Sequence, residues 1–247
     1  MKTDLYIPRI YRNVCNSDRF IRFIVQQEET DLFILAEKDL SIQADNKLSE
    51  LRAQIKSYIE TDADFLTALK PIAIMDSAPE IIKEMAVASE KMGVGPMAGI
   101  AGAISERMCK YLAQSSDEVI VENGGDNFLI NKEPLTVAIY AGDSPLSMKI
   151  GIELGPYPEG IAIATSSGTI GHSLSFGNAD AVTILAHSGS FADAAATAIC
   201  NMVKTEEDVE PALQFASTIS EILGVMVIIG KKVGAWGEIL KLKTIID

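Results

Sequence analysis

The chain has 247 residues, of which 48% are hydrophobic and 22% charged, and its formal net charge at pH 7 is −13. This apolar content predicts a well-packed core and excludes an intrinsically disordered protein. The acidic balance excludes a nucleic-acid-binding protein or a protein of anionic membrane surfaces, because such a footprint needs clustered lysine and arginine. A small phosphorylated ligand is compatible with it, provided that backbone N–H groups and a divalent cation bind the phosphates.

No apolar stretch is long enough to cross a membrane, and the N-terminal MKTDLYIPRIYRN lacks the apolar core of a secretory signal. The three cysteines, Cys15, Cys109 and Cys200, form no CxxC pair, which is typical of a reducing compartment and excludes a disulfide framework. We therefore expect a cytoplasmic protein. It should form one domain over residues 1–247, or two packed lobes with a weak boundary near residues 62–77.

The first predicted elements are a β-hairpin and two helices. Residues 19–38 alternate around a polar QQEET turn, which predicts the hairpin. Residues 45–60 place leucines and isoleucines on one stripe and predict a helix, with Asp45 or Asn46 as its N-cap. Residues 77–93 predict the second helix, which begins with a serine cap and a proline in its first turn and ends at a glycine.

A third helix is predicted from Gly95 and Pro96, and its first turns consist mainly of glycine and alanine. Glycine lowers helix propensity, so this composition indicates that something lies very close to these turns. Close helix–sheet packing is the favoured explanation and a ligand is the alternative. The residues concerned are Gly99, Gly102 and Ala103.

From residue 118 onward short apolar segments predict strands, at 118–122, 135–141, 148–154, 160–165 and 180–186. Helices are then predicted at 191–204 and 209–223, followed by strands at 225–230 and near 235–242. Strands and helices occur in blocks rather than in alternation. We therefore predict an α+β fold with mixed or largely antiparallel sheets flanked by helices.

The segment FADAAAT, residues 191–197, places a carboxylate and a hydroxyl on one helix face, because Asp193 and Thr197 are spaced i, i+4. These oxygen ligands suit Mg²⁺, which keeps water and phosphate oxygens at its other positions. The alternative is an ordinary first-turn aspartate with a threonine that has no role. Cys200 falls near the same face, and a buried core thiol is the favoured interpretation for it.

The loop TSSGTIGHS, residues 165–173, follows a predicted strand and concentrates hydroxyls, glycines and backbone N–H groups. This composition is typical of a phosphate or pyrophosphate cradle, although no Gly-Lys-Ser/Thr of a Walker A loop follows. A glycine-rich turn with local Ser and Thr hydrogen bonds is the alternative. His172 is a candidate acid–base residue or a packing residue. The candidate ligand residues of the loop are Thr165, Ser166, Ser167, Gly168 and Thr169.

The segment ENGGD, residues 122–126, ends a predicted strand. Gly124 and Gly125 allow a ligand to approach the backbone closely, and Asn123 lies beside them. Asn-Gly is also a strong hairpin-turn dipeptide, so a plain β-hairpin is the alternative. Asp126 completes the motif as a candidate catalytic residue.

The ordered set NGGD, TSSG and AD-x-x-x-T resembles the ApbE family of flavin transferases, which cleave FAD and attach FMN to a protein threonine. More narrowly, GVGPMAGIAGAI, VENGGD, TSSGTIGHSLSFGNAD and ADAAATAICN resemble an uncharacterised, soluble ApbE-related family found mainly in archaea and anaerobic bacteria. The narrow resemblance covers about residues 77–202, whereas the broad one is confined to the motifs after residue 120.

The resemblance implies an ApbE-like fold, a Mg²⁺ ion, and FAD or another nucleotide as the ligand. In ApbE enzymes the Asp and Thr of AD-x-x-x-T bind Mg²⁺, which implies this role for Asp193 and Thr197. Other positions would contribute backbone near the metal or line the flavin-nucleotide cleft. These are Thr165, Ser166 and Gly168 for the metal, and Asn123 and Asp126 for the cleft.

Three hypotheses follow. The first is a Mg²⁺-dependent protein acting on a flavin or other nucleotide pyrophosphate, in which Asp126 or His172 helps to activate an acceptor hydroxyl. The second is a non-catalytic or sulfur-trafficking accessory protein of anaerobic homocysteine synthesis. It is favoured by SLSFGNAD after His172, where ApbE enzymes have Asp-Pro-x-Thr-Gly. The third is a structural homo-oligomer whose glycine loops serve packing alone.

Overall fold

The computed structural model describes residues 18–170 and 175–245. Its strands are β1 (Ile21–Gln27), β2 (Thr30–Ala36), β3 (Val119–Asn123), β4 (Asp126–Asn131), β5 (Leu135–Ala138), β6 (Ile150–Leu154), β7 (Tyr157–Ser166), β8 (Ala181–Ala186), β9 (Gly224–Ile229), β10 (Lys232–Trp236) and β11 (Lys241–Thr244). Its helices are α1 (Ser41–Thr61), α2 (Asp64–Thr67), α3 (Glu80–Met92), α4 (Ile100–Leu112), α5 (Gly189–Met202) and α6 (Val209–Ser217).

The strands form a large sheet and a small one. The large sheet has eight strands in the order β1-β2-β3-β4-β7-β8-β9-β10, and the small one has three in the order β11-β6-β5. Every neighbouring pair is antiparallel. The predicted α+β fold with largely antiparallel sheets flanked by helices is therefore confirmed.

The two faces of the large sheet are covered by different layers, because successive side chains of a strand point to opposite faces. One face contributes Val121, Ala164 and Val182 to the main core, which also contains the buried sides of the helices. The other face contributes Leu129 and Leu185 to a second core that it shares with the small sheet. The large sheet is thus the middle layer of three.

Several predicted boundaries hold and others shift. The hairpin within residues 19–38 is confirmed as β1 and β2, which pair from Ile21 with Ala36 to Gln27 with Thr30. The N-cap prediction of Asp45 or Asn46 is wrong, since α1 begins at Ser41. The N-cap residue is Leu40, and the carboxylate of Asp39 before it accepts the Ser41 N–H at 2.9 Å.

Helix α3 begins at Glu80 with Pro79 as its N-cap, so the predicted serine cap is wrong. Its predicted end is confirmed, since Gly93 is the C-cap residue with a left-handed φ of 68°. Near the C-terminus the predicted strand at 235–242 is wrong, since β10 and β11 occupy different sheets. The chain turns between them at Gly237, whose φ is 131°. No helix in the described ranges is long and apolar enough to cross a bilayer. The division into one domain or two lobes stays a prediction.

Candidate functional site

The N-terminal turns of α4 and α5 cross in direct backbone contact. A Cβ atom added to Gly102 would lie 2.0 Å from the carbonyl oxygen of Gly189, and one added to Gly189 would lie 2.3 Å from that of Gly102. A Cβ on Gly99 would lie 2.7 Å from the carbonyl oxygen of Ser190. The close partner of these glycines is therefore a second helix, where helix–sheet packing or a ligand was expected.

Each helix supplies a buried carboxylate to the other at this crossing. Asp193 of α5 accepts the Gly102 N–H at 3.0 Å, and Glu106 of α4 accepts the Gly189 N–H at 2.6 Å. The first N–H groups of a helix have no partner within the helix, so both carboxylates act as caps that come from the neighbouring helix. Gly99, the N-cap of α4, has no side chain that could do this.

Asp193 is buried, with 8% of the residue exposed. Burial raises its pKa from 3.8 to about 7, although the N–H groups of Gly102 and Ala101 oppose the shift by stabilising the anion. Because the pKa is raised, the folded protein keeps this proton at pH values between about 4 and about 7, at which the unfolded chain releases it. The stabilising contribution of the protonated carboxyl is therefore lost as the pH rises from about 4 to about 7.

Thr197 lies one helical turn beyond Asp193 and is also buried. Its hydroxyl forms a hydrogen bond of 3.0 Å with the hydroxyl of Ser166, the last residue of β7. The side chain of Ser166 points to the helical face of the sheet, since Ala164 of the same strand parity lies in the main core. The strand end and the helix thus bring two hydroxyls beside the carboxylate-bearing face of α5.

The NGGD motif forms the β-hairpin that was left as the alternative. Asn123 of β3 pairs with Asp126 of β4, and the two-residue turn uses φ values of 71° at Gly124 and 119° at Gly125. The Asn123 amide donates a hydrogen bond of 3.3 Å to the carbonyl oxygen of Ala101, next to the α4 turn that Asp193 caps. The hairpin tip, α4, α5 and the end of β7 are thereby connected.

A Cβ atom on Gly125 would lie 3.3 Å from the carbonyl oxygen of Thr165, so the tip also abuts β7. The side chain of Thr165, however, points to the opposite face of the sheet, where its hydroxyl bonds the hydroxyl of Thr183 at 2.9 Å. Asp126 is buried, with 8% exposure, on the same strand parity as the core residue Phe128. Only the backbone of Thr165, and not its hydroxyl, lies beside the helical face.

The loop after β7 is held by hydrogen bonds to other groups of the protein. The Gly168 N–H donates to the carbonyl oxygen of Ala179 at 2.9 Å, and the Thr169 and Ile170 N–H groups donate to Ser167 Oγ at 3.1 and 3.0 Å. These three N–H groups therefore have partners within the protein. The described part of the loop contains the local serine-bonded turn that was left as the alternative. His172 lies outside the described residues.

Asp180 is a residue that sequence reasoning missed. Its carboxylate accepts the Thr169 hydroxyl at 3.2 Å and the Gly230 N–H at 2.7 Å, so it ties the loop to the end of β9. Glu106 was missed as well. Neither had a readable signal, because the partners Gly230 and Gly189 lie 50 and 83 positions away in the chain.

Both cysteines in the described part of the chain are buried. Burial raises the pKa of Cys109 and of Cys200 above the usual range of a thiol. A raised pKa disfavours the reactive thiolate at neutral pH. The interpretation of Cys200 as a core residue agrees with its place in the main hydrophobic core.

The donor set beside α5 fits a magnesium ion that shares its coordination with phosphate. The set contains one carboxylate, Asp193, and two hydroxyls, Thr197 and Ser166, and all are oxygen donors. Among the described residues no group of three or more His, Cys, Asp or Glu side chains is arranged to hold a metal. Mg²⁺ suits such a sparse set, because it usually keeps waters and binds one or two carboxylates together with substrate phosphates.

Comparison with known proteins agrees with this fold. The family model described as "AbpE bacteria" matches residues 12–229. A UPF0280 protein of Methanocaldococcus jannaschii is 40% identical over 228 residues, which are 90% of this chain and 93% of that protein. A UPF0280 protein of Methanothermobacter thermautotrophicus is 44% identical over 197 residues, covering 77% of this chain and 76% of that protein.

Among solved structures, the flavin transferase ApbE from Vibrio cholerae is similar with a TM-score of 0.54 and 16% identity, over 88% of this chain and 96% of that chain. The ApbE protein of Thermotoga maritima is similar with a TM-score of 0.54 and 14% identity, over 89% and 97%. At these identities the likeness shows the fold. By its sequence, the chain belongs to the AbpE bacteria family, together with the UPF0280 proteins.

Proposed function

We propose that this protein binds FAD or a related nucleotide through its pyrophosphate with the help of Mg²⁺, and that it transfers FMN to an acceptor hydroxyl. The observation that carries the proposal is the joining of separate motifs at one place. Asn123 bonds the first turn of α4, Asp193 caps the same turn, and Ser166 bonds Thr197. The similarity to ApbE flavin transferases in fold supports the choice of ligand.

In this proposal Asp193 and Thr197 would hold the cation on the face of α5, and the hydrogen bond between the Thr197 and Ser166 hydroxyls would orient the Thr197 side chain. When bound, Mg²⁺ neutralises the diphosphate and stabilises the charge that develops on it. Gly124 and Gly125 let the pyrophosphate approach the backbone of the hairpin tip. The N–H groups of Gly168, Thr169 and Ile170 have no part in it, because they are already bonded.

In the transfer, the acceptor oxygen forms a bond to the phosphorus of the FMN half, the P–O bond to the bridging oxygen breaks, and AMP leaves with that oxygen. The proton of the acceptor hydroxyl passes to a base of this protein that lies beside the acceptor, a role that we assign to Asp126 or His172. Asp126 suits it by position, since it lies directly at the hairpin tip.

The test is a titration of the purified protein with FAD, followed by fluorescence with and without Mg²⁺, and then chromatography for AMP and FMN. Quenching that requires Mg²⁺, with release of AMP on addition of an acceptor, is the expected result. Quenching without AMP would leave a binding protein that has no transferase reaction. Absence of binding under both conditions would overturn the proposal.

Nothing in the structure of the described residues adds support to a sulfur-trafficking role. The described cysteines, Cys109 and Cys200, are buried and have raised pKa values, so neither is suited to carry sulfur covalently.

The affinity for Mg²⁺ is expected to rise about tenfold between about pH 6 and about pH 8. The cation binds the ionised form of Asp193, whose pKa is about 7, so binding at the lower pH must first displace a proton. Isothermal titration calorimetry in buffers of different ionisation enthalpy measures both the affinity and the released proton. An affinity that stays constant across this range would contradict Asp193 as the ligand.

A further inference from the structure

The contacts at the helix crossing form a closed ring. Gly102 and Glu106 are one turn apart on α4, and Gly189 and Asp193 are one turn apart on α5. Asp193 accepts the Gly102 N–H at 3.0 Å, and Glu106 accepts the Gly189 N–H at 2.6 Å. Two helical turns and two charge-assisted hydrogen bonds therefore enclose the point where the glycines meet.

Glu106 itself is poorly placed to bind a cation. Its side chain is 10% exposed, and Lys110 forms an ion pair with Oε1 at 2.6 Å while Oε2 accepts the Gly189 N–H. Lys110 lies one turn further along α4, so this ion pair holds the carboxylate against its own helix. Both carboxylate oxygens are thereby occupied by protein groups.

Gly189 is the first residue of α5, and its position sets where that helix begins. The remaining cap of the helix is weak, because the N–H of Phe191 reaches Ser188 Oγ at 3.4 Å. Glu106 provides the shorter and charged contact to this terminus. Since Asp193 follows Gly189 by one rigid turn, a shift of the terminus would carry the Asp193 carboxylate with it.

We propose that Glu106 is a positioning residue for the divalent-cation site: it fixes the start of α5, so that Asp193 presents one oxygen to the Gly102 N–H and the other to the cation. The proposal rests on the function proposed above, in which Asp193 binds Mg²⁺. Gly102 and Gly189 allow the two helices to approach closely enough for these contacts. A Cβ on Gly102 would lie 2.9 Å from the Asp193 Cβ, and one on Gly189 would lie 3.0 Å from the Glu106 Cβ.

Two conservative variants separate geometry from charge. Glu106→Gln keeps an oxygen for the Gly189 N–H and loses the charge, whereas Glu106→Asp keeps the charge and withdraws the oxygen by one methylene. With Mn²⁺ as the probe, titrated by electron paramagnetic resonance, we expect Glu106→Gln to bind within about twofold of the wild type. Glu106→Asp and Glu106→Leu should bind about tenfold more weakly, the usual cost of losing an outer-shell partner.

Urea unfolding of the same proteins shows whether a weakened affinity only reflects a loss of stability. A Glu106→Leu protein that is destabilised but binds Mn²⁺ like the wild type would overturn the proposal, because Glu106 would then be structural alone. Weak binding by Glu106→Gln with normal binding by Glu106→Asp would also overturn it, in favour of a charge effect. If Glu106→Leu does not fold, the Gln and Asp variants decide the matter by themselves.

The failure of the underlying function gives a different pattern. In that case the wild-type protein binds no Mn²⁺ or binds it no better than Asp193→Asn does. A wild type that binds Mn²⁺ through Asp193, with unaltered binding in all Glu106 variants, overturns only the role of Glu106.

Discussion

Asp193→Asn is expected to fold and to lose Mg²⁺-dependent FAD binding. The asparagine amide oxygen can still accept the Gly102 N–H, which Asp193 accepts at 3.0 Å. The substitution removes the negative charge that would face the cation. The affinity for Mg²⁺ should therefore fall by at least about 100-fold, since the loss of a metal ligand costs more than the loss of an outer-shell partner. Mg²⁺-dependent quenching of FAD fluorescence measures the effect.

The stability of this variant should not fall at alkaline pH. Above about pH 7 the wild-type protein bears the cost of ionising the buried Asp193 carboxyl, whose pKa burial has raised. The neutral asparagine bears no such cost. Urea unfolding at about pH 8 should therefore give Asp193→Asn a free energy of unfolding equal to or above that of the wild type, as is common for residues kept for function.

Glu106→Gln is the matched control, because Glu106 is also a buried carboxylate that accepts a glycine N–H across the same crossing. We expect this variant to keep Mg²⁺-dependent binding. Normal FAD binding by Asp193→Asn would remove Asp193 from the site, and equal losses in both variants would indicate a general electrostatic effect instead of a ligand.

Gly102→Ala is expected to destabilise the protein by about 3 kcal/mol or more, the upper range for overpacking a buried site. The new Cβ would lie 2.0 Å from the carbonyl oxygen of Gly189, a backbone atom that cannot move without shifting α5. Urea unfolding gives the change in the free energy of unfolding. Metal affinity should fall in the same variant, because any separation of the helices removes the Gly102 N–H from Asp193.

Gly155→Ala provides the comparison, since a Cβ there would meet no atom within 4 Å. It should leave the free energy of unfolding unchanged within about 0.5 kcal/mol or raise it slightly, because alanine restricts the unfolded chain. A Gly102→Ala protein as stable as Gly155→Ala would contradict the close crossing of α4 and α5.

Local sequence patterns predicted most of the helices and strands. The alternation in residues 19–38 predicted a hairpin that the structure contains. At Asn123 the structure contains the hairpin that was left as the alternative. The cap of α1 was assigned to Asp45 or Asn46, because the stripe of apolar residues begins there. The helix begins at Ser41, whose N–H bonds Asp39, and periodicity gives no signal for residues outside that stripe.

The candidate site was only partly readable, because its decisive contacts join distant parts of the chain. The i, i+4 spacing of Asp193 and Thr197 is local and predicted a shared face. The contact between Asp193 and Gly102 spans 91 positions, and that between Glu106 and Gly189 spans 83. A glycine-rich helix start indicated a close neighbour, yet nothing in the sequence identified this neighbour as α5.

The order of elements along the chain determines which fragments would keep the whole candidate site. The motifs by which the chain resembles ApbE enzymes most broadly all follow residue 120, whereas α4, with the Gly102 N–H, ends at Leu112. A fragment that begins after α4 would keep every one of those motifs and would still lack the helix terminus that orients Asp193. Transplanting the motif-bearing half into another scaffold would therefore transfer the proposed metal ligands without the helix terminus that contacts Asp193.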